Sequence, residues 1–139
     1  MIKRITLLVT ICLILSSCRA VISTMLNVDV SDARRTAKIL LKDNPVEINF
    51  EKNMISADFE KYLKSKEGQD YYQDIKLKHG ELKSLKFKLM KGNSQDTMNY
   101  IFKGKFKNQP KEELEVRVQA FKDKEIIGVL VIDEIRYFF

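Results

Sequence analysis

An α+β fold, with N-terminal helices packed on a curved four-stranded antiparallel sheet, is what this 139-residue sequence predicts. Three observations carry it. Apolar side chains recur at helical spacing in the first half, and beyond Gly80 the period changes from 3.6 to two. Turn-forming stretches then separate four alternating segments, which makes a meander, and helices that precede such a meander cover one of its faces.

The first helix takes its cap from Ser31 or Asp29. Ala33, Ala37, Leu40 and Leu41 then fall on one side, with Arg34, Arg35, Lys38 and Lys42 turned away. Asn44-Pro45 ends it, because the residue before a proline is pushed out of the helical region. Val46, Ile48 and Phe50 alternate with Glu47, Asn49 and Glu51 as a short extended piece or an irregular loop. Ser56 caps a second helix whose stripe is Phe59, Tyr62 and Leu63, with Asp58 and Glu60 beside the positive end of its dipole. Gly68 is expected to interrupt it. Tyr71, Tyr72, Ile75 and Leu77 continue for a further turn or two, closed by His79-Gly80.

In the first strand Leu85, Phe87 and Leu89 share a buried face, and Lys91-Gly92-Asn93-Ser94 turns the chain. Tyr100, Phe102, Gly104 and Phe106 make the buried face of the second, where Gly104 marks a bulge or a close backbone approach. Asn108-Gln109-Pro110-Lys111 breaks that strand. Leu114, Val116, Val118 and Ala120 line the third, and Lys122-Asp123-Lys124 is a tight connection. The fourth runs from about Glu125 to Tyr137, with Ile127, Val129, Val131 and Ile135 on one face and Ile126, Leu130 and Ile132 on the other. Apolar on both faces, it is expected at the centre of the sheet, in tight pairing around its curve, or at an interface.

Before these elements comes Met1 to Cys18. Lys3 and Arg4 precede an apolar run from Ile5 to Leu15, too short to cross a bilayer and of the length of a signal-peptide core. Leu15-Ser16-Ser17-Cys18 resembles the lipobox of bacterial lipoproteins. The resemblance implies removal of residues 1–17, a diacylglycerol on the Cys18 thiol, a lipidated tether over 18–30 and a single domain over 31–139. It also implies a membrane partner through the N-terminal lipid. By the same resemblance, Arg19 in the second mature position is not the aspartate of inner-membrane retention, which implies the outer membrane, facing the periplasm, where a cell has two membranes. Cys12 would leave with the leader and Cys18 would be acylated, so the mature chain is expected to hold no disulfide and to depend on its own core.

The full chain carries a formal charge of +6. Losing Lys3 and Arg4 lowers the basic count from 25 to 23 against 19 acids. Charges are mostly interleaved, which argues against a nucleic-acid partner. Lys83, Lys86, Lys88 and Lys91 with Lys103, Lys105 and Lys107 form either a solvated basic sheet face or one that meets an acidic partner or lipid headgroups.

From Ser31 to Tyr137 the order of elements resembles the exported members of the cystatin-like and nuclear-transport-factor-2-like superfamily. The stretch Lys78-His79-Gly80-Glu81-Leu82-Lys83-Ser84 and the connection at Asp123-Lys124 carry the resemblance. It implies a sheet that curls into a cone around a helix. Two departures stand against it: the Asn44-Pro45 break with the extended piece after it, and the lack of a matching catalytic aspartate, histidine or tyrosine set. No family activity comes over with the fold.

Few residues invite a chemical role. His79 is the sole histidine and is expected to interact with free carbonyls at a helix end. Without a thiol beside it, it makes no zinc site, and no metal or cofactor is expected. Asp133 and Glu134 occupy adjacent strand positions and so point to opposite faces. Asp133 is the stronger candidate, lining a pocket mouth with Arg117 or Tyr100. Tyr71-Tyr72 and the terminal Tyr137, Phe138 and Phe139 are hard to bury, and Tyr137 and Phe138 are candidates for an interface. The expectation is a non-enzymatic envelope protein that binds an envelope partner or self-associates. The alternative is small-molecule or lipid binding in the hollow between helix and sheet.

Overall fold

A computed structural model describes residues 30–42, 50, 54–92, 96–122 and 125–133. By internal contacts Asp32–Phe139 forms one unit and Met1–Ser31 another, and the fold below belongs to the former. Cys18, the piece from Val46 to Asn49, Asn93-Ser94, Asp123-Lys124 and Glu134 to Phe139, with Tyr137 and Phe138, lie outside the described residues.

The architecture is α+β: helices, mostly N-terminal, with an open four-stranded antiparallel sheet of order β1-β2-β3-β4. Helix α1 is described over residues 30–42, with Ala33, Ala37, Leu40 and Leu41 all buried as the spacing requires. Ser31 lies inside this helix and does not cap it. Thr36, fully buried on the same side, returns its hydroxyl to the Asp32 carbonyl at 3.0 Å, whereas Arg34, expected to turn away, lays its guanidinium 5.9 Å from the centre of the buried Phe102 ring.

Helix α2 spans Ala57–Lys64 and α3 spans Lys66–His79. Ser56 caps α2 by accepting from the Phe59 N–H at 3.2 Å, as expected. The break between them falls at Ser65 and not at Gly68. Ser65 ends α2 with its N–H on the Tyr62 carbonyl and begins α3 by accepting from Gly68 N–H at 3.2 Å. Gly68 serves packing instead. A Cβ there would lie 2.1 Å from the Tyr62 carbonyl oxygen, so only glycine lets the start of α3 press against the end of α2. Gly80 closes α3 at φ 74°, a conformation that favours glycine. Leu77, read as a continuation of the apolar stripe, points to solvent.

Strands β1 (Leu82–Gly92), β2 (Thr97–Phe106), β3 (Gln109–Phe121) and β4 (Ile126–Ile132) follow. On the helix-facing side, Tyr100, Phe102 and Phe106 of β2 stand beside Leu114, Val116, Val118 and Ala120 of β3, all buried. Gly104 lies between Phe102 and Phe106 because a Cβ would sit 2.9 Å from the Val116 Cγ2. The register shifts there as well. β3 begins five residues before Leu114, since Gln109-Pro110 continues the strand and the turn is confined to Lys107-Asn108.

Three further irregularities alter the faces expected from strict alternation. Register shifts at Lys83 and at Lys88 put Leu89 opposite Ile101 and away from the face of Leu85 and Phe87. In β4 an extra residue at Ile127 leaves Ile126 opposite Ala120 and Gly128 opposite Gln119. Ile126 therefore shares the buried face with Val129 and Val131. Such bulges increase local twist and curve a sheet. Finally, β4 is not central. It is the last strand, and its outer edge is closed by other means.

Candidate binding groove

Four devices close that edge. Met54 and Ser56, just ahead of α2, make parallel bridge bonds with Ile126 at 3.1 and 2.9 Å. The Ile127 bulge then turns the outward-facing peptide groups to those of Val129 and Val131. Tyr72 donates its hydroxyl to the Val129 carbonyl at 2.8 Å, and the Val131 N–H donates to the Tyr71 hydroxyl at 3.1 Å. Adjacent helix positions thus serve alternate strand positions. An edge so occupied cannot template another strand over these groups.

The two tyrosines meet edge to face, with ring centroids 5.0 Å apart at 82°. Tyr72 is buried and Tyr71 is half-buried. Loss of solvent pushes both hydroxyls above their ordinary pKa, so they stay neutral and keep their hydrogen-bonding roles at physiological pH. Phe59 and Tyr62 of α2 stack at 6.4 Å and 16°.

Because the tyrosines hold β4 from one side and α2 crosses its beginning, a groove of about 390 Å³ opens between them. Phe59, Tyr62, Tyr71 and Tyr72 form one wall, and Phe121, Ile127, Gly128, Val129 and Leu130 the other. Ser56, Asp58 and Gln119 supply polar groups around it. Tyr62, Phe121 and Leu130 are each more than a third exposed, an unusual expense of apolar surface in water. Gly128 keeps the floor low: a Cβ there would meet only the Gln119 Oε1, at 3.5 Å.

A second crevice, of about 420 Å³, is lined by Lys88, Lys103, Glu112, Glu113, Glu115 and Asp133 with a few apolar groups. Lys103 pairs with Glu113 across it at 3.3 Å, while Asp133 and Glu115 pair outside it with Lys78 and Arg117, so its charges form a solvated surface and do not converge on one point.

The candidate residues are dispersed. Tyr100 is buried on the helix-facing side opposite Val118, whereas Arg117 lies on the outer face and binds Glu115 at 2.5 Å. Alternation therefore separates them, and neither joins Asp133 at a pocket mouth. Asp133 pairs with Lys78, whose ammonium holds the carboxyl below its usual range, and stands 3.5 Å from His79 Nε2. His79 is buried against Phe106, and its Nδ1 lies 2.8 Å from Gln109 Oε1. It clasps the end of α3 to β3 and to the end of β4 through side chains, in place of the expected carbonyl contacts. With both ring nitrogens occupied and no nucleophile beside it, this cluster is structural in form.

Among the described residues no group of three or more histidine, cysteine or acidic side chains converges on a common point. No described helix is long and apolar enough to cross a membrane. The groove itself was missed in sequence because its two walls are joined by the Ile127 bulge. The one available signal was the Tyr71-Tyr72 pair, too polar at its tips for an ordinary core. No protein-family model, curated protein or solved structure matches the chain.

Proposed function

We propose that this is an envelope lipoprotein, tethered through Cys18, whose domain is a non-enzymatic binding module that engages a partner protein through the groove beside β4. The observation that carries the binding role is the exposed aromatic groove at an edge already closed to strand addition. Tyrosine, phenylalanine and leucine around a concave floor suit capture of an apolar side chain, and aromatic residues dominate the energetics of such contacts. The carboxylate of Asp58 at the rim suits a basic group next to that anchor. The finer fold reading belongs to the same proposal: a cystatin-like or nuclear-transport-factor-2-like cone, supported by the helix cover and the curvature that the bulges impart.

A second reading, uptake of a small molecule or lipid, is supported by the groove's volume, which falls within the roughly 300–1,000 Å³ of small-ligand pockets. One variant addresses both. Gly128→Val fills the floor without a backbone clash. A photo-crosslinking amino acid at Leu130 should give a protein-sized adduct in cells that Gly128→Val abolishes while the thermal midpoint stays within about 2 °C. A small-molecule adduct by native mass spectrometry would move the assignment to the second reading. Adducts indifferent to Gly128→Val would remove the groove from consideration, and an unmodified Cys18 by intact mass would remove the anchor.

A further inference from the structure

The formal charge of the chain is not evenly placed. From Leu82 to Lys107 stand seven lysines and one acid, Asp96, a balance of +6 that equals the charge of the whole sequence. Everything outside the stretch from Leu82 to Lys107 is neutral in sum. In the fold six of these lysines are exposed along β1 and β2 and Lys107 opens the turn after them, and Lys86 stands directly opposite Lys103, a like-charge pairing that weakens a sheet. Lys103 is compensated by Glu113 and Lys83 by Glu81, each at 3.3 Å. Among the described residues Lys86, Lys88, Lys91 and Lys105 have no acidic partner.

Two more features define what such a surface fits. All seven cations are lysine and none is arginine. Guanidinium forks build shaped, bidentate anion sites, whereas ammonium groups act as hydrated point charges, suited to a diffuse field of phosphates. Lys88 and Lys91 also flank Leu89, which is 39% exposed near the far end of β1 and, opposite Ile101, shares the outer face with the Lys86–Lys103 pair. Apolar side chains bracketed by long cationic stems match the headgroup boundary of a bilayer, where the chains enter and the ammonium groups stay with the phosphates.

We propose that the outer face of the β1–β2 hairpin is a docking surface for an anionic lipid bilayer, with Leu89 entering the headgroup layer and the lysines around it meeting lipid phosphates. The inference rests on the tethered reading above, since the anchor is what keeps the domain within reach of a membrane. Each lysine close to such a surface contributes up to about fivefold in partitioning at low to moderate salt. The contribution decays within a Debye length.

The test uses the full chain with an environment-sensitive fluorescent amino acid at Leu89, and in a parallel sample at Leu77, which is exposed on α3. Vesicles of phosphatidylcholine, with and without phosphatidylglycerol, are the probes. The Leu89 emission should shift to the blue only with phosphatidylglycerol and return in high salt, while the Leu77 probe stays in water. Replacing Lys86, Lys88, Lys91 and Lys105 by Gln, with an unchanged circular dichroism spectrum, should raise the lipid concentration for half response at least tenfold. An equal response to both vesicle types, or one that survives the four substitutions, overturns the proposal. So does a response to soluble polyglutamate without one to vesicles, which would assign the face to an acidic protein. An unacylated Cys18 with a responsive Leu89 overturns the anchor alone, and an acylated chain with a silent Leu89 overturns this inference alone.

Discussion

Tyr72→Phe removes one oxygen and no packing volume, which makes it the sharpest probe of how β4 is held. The hydroxyl's bond to the Val129 carbonyl is 2.8 Å long, and Val129 is 1% exposed, so no water easily replaces the donor. A hydrogen bond of this kind contributes about 1 kcal/mol net, and the stranded carbonyl adds about another 1 kcal/mol. The expected loss is about 2 kcal/mol, or a fall in midpoint of roughly 8 °C for a domain near 100 residues. Tyr71→Phe should lower stability by only about 0.5 kcal/mol, because Tyr71 is half-buried and water can reach the freed Val131 N–H. Urea unfolding of the full chain measures both, with an unchanged slope as the sign that the folded state is intact. Amide exchange adds a local readout: Val131 should exchange faster in Tyr71→Phe. A Tyr72→Phe loss below about 0.5 kcal/mol, or one smaller than that of Tyr71→Phe, would refute the reasoning from buried hydroxyls.

Gly68→Ala tests the α2–α3 junction. Crowding of the new Cβ against the Tyr62 carbonyl should destabilise by about 3 kcal/mol, offset by about 1 kcal/mol of helix propensity, and a stabilised variant in a thermal melt would contradict the close approach. Asp133→Asn tests the pair with Lys78. Its carboxyl is held below the ordinary 3.8, so its contribution is full above that pH and disappears as pH falls through the lowered value. Because both partners are partly exposed, the difference from the parent should be no more than about 1 kcal/mol at neutral pH. It should shrink in high salt and close in strong acid, and a difference that widens on acidification would reverse the assigned sign.

Much of this fold was legible because local physics decides it. Ser56 ahead of an amphipathic stretch, and the unbroken alternation from Leu114 to Ala120, each fix an element without reference to anything distant. The errors arise where a neighbouring element decides. Nothing near Lys88 or Ile127 announces an inserted residue, since a bulge is defined only by what lies across the ladder. Likewise Gly68 signals a break by composition, but the hydroxyl of Ser65 had already made one, and the glycine answers to a carbonyl on another helix. The double-sided apolar character of β4 leaves a central place, tight pairing and an interface all open, and the strand order excludes only the first. Arg117 and Tyr100 failed as a pair for the simplest reason: their strand positions differ in parity once β2 and β3 are aligned.

The tyrosine bonds to β4 join residues 57 and 60 positions apart in the chain. During synthesis or any other passage from the N-terminus onward, α3 emerges long before the strand that will accept its hydroxyls. Until β4 is free, Tyr71 and Tyr72 have no native acceptor or donor there, and the nascent sheet ends at a bare third ribbon. Closure of this edge therefore waits on β4, and truncation just short of Val129 would leave a sticky, half-closed molecule rather than a slightly smaller stable one.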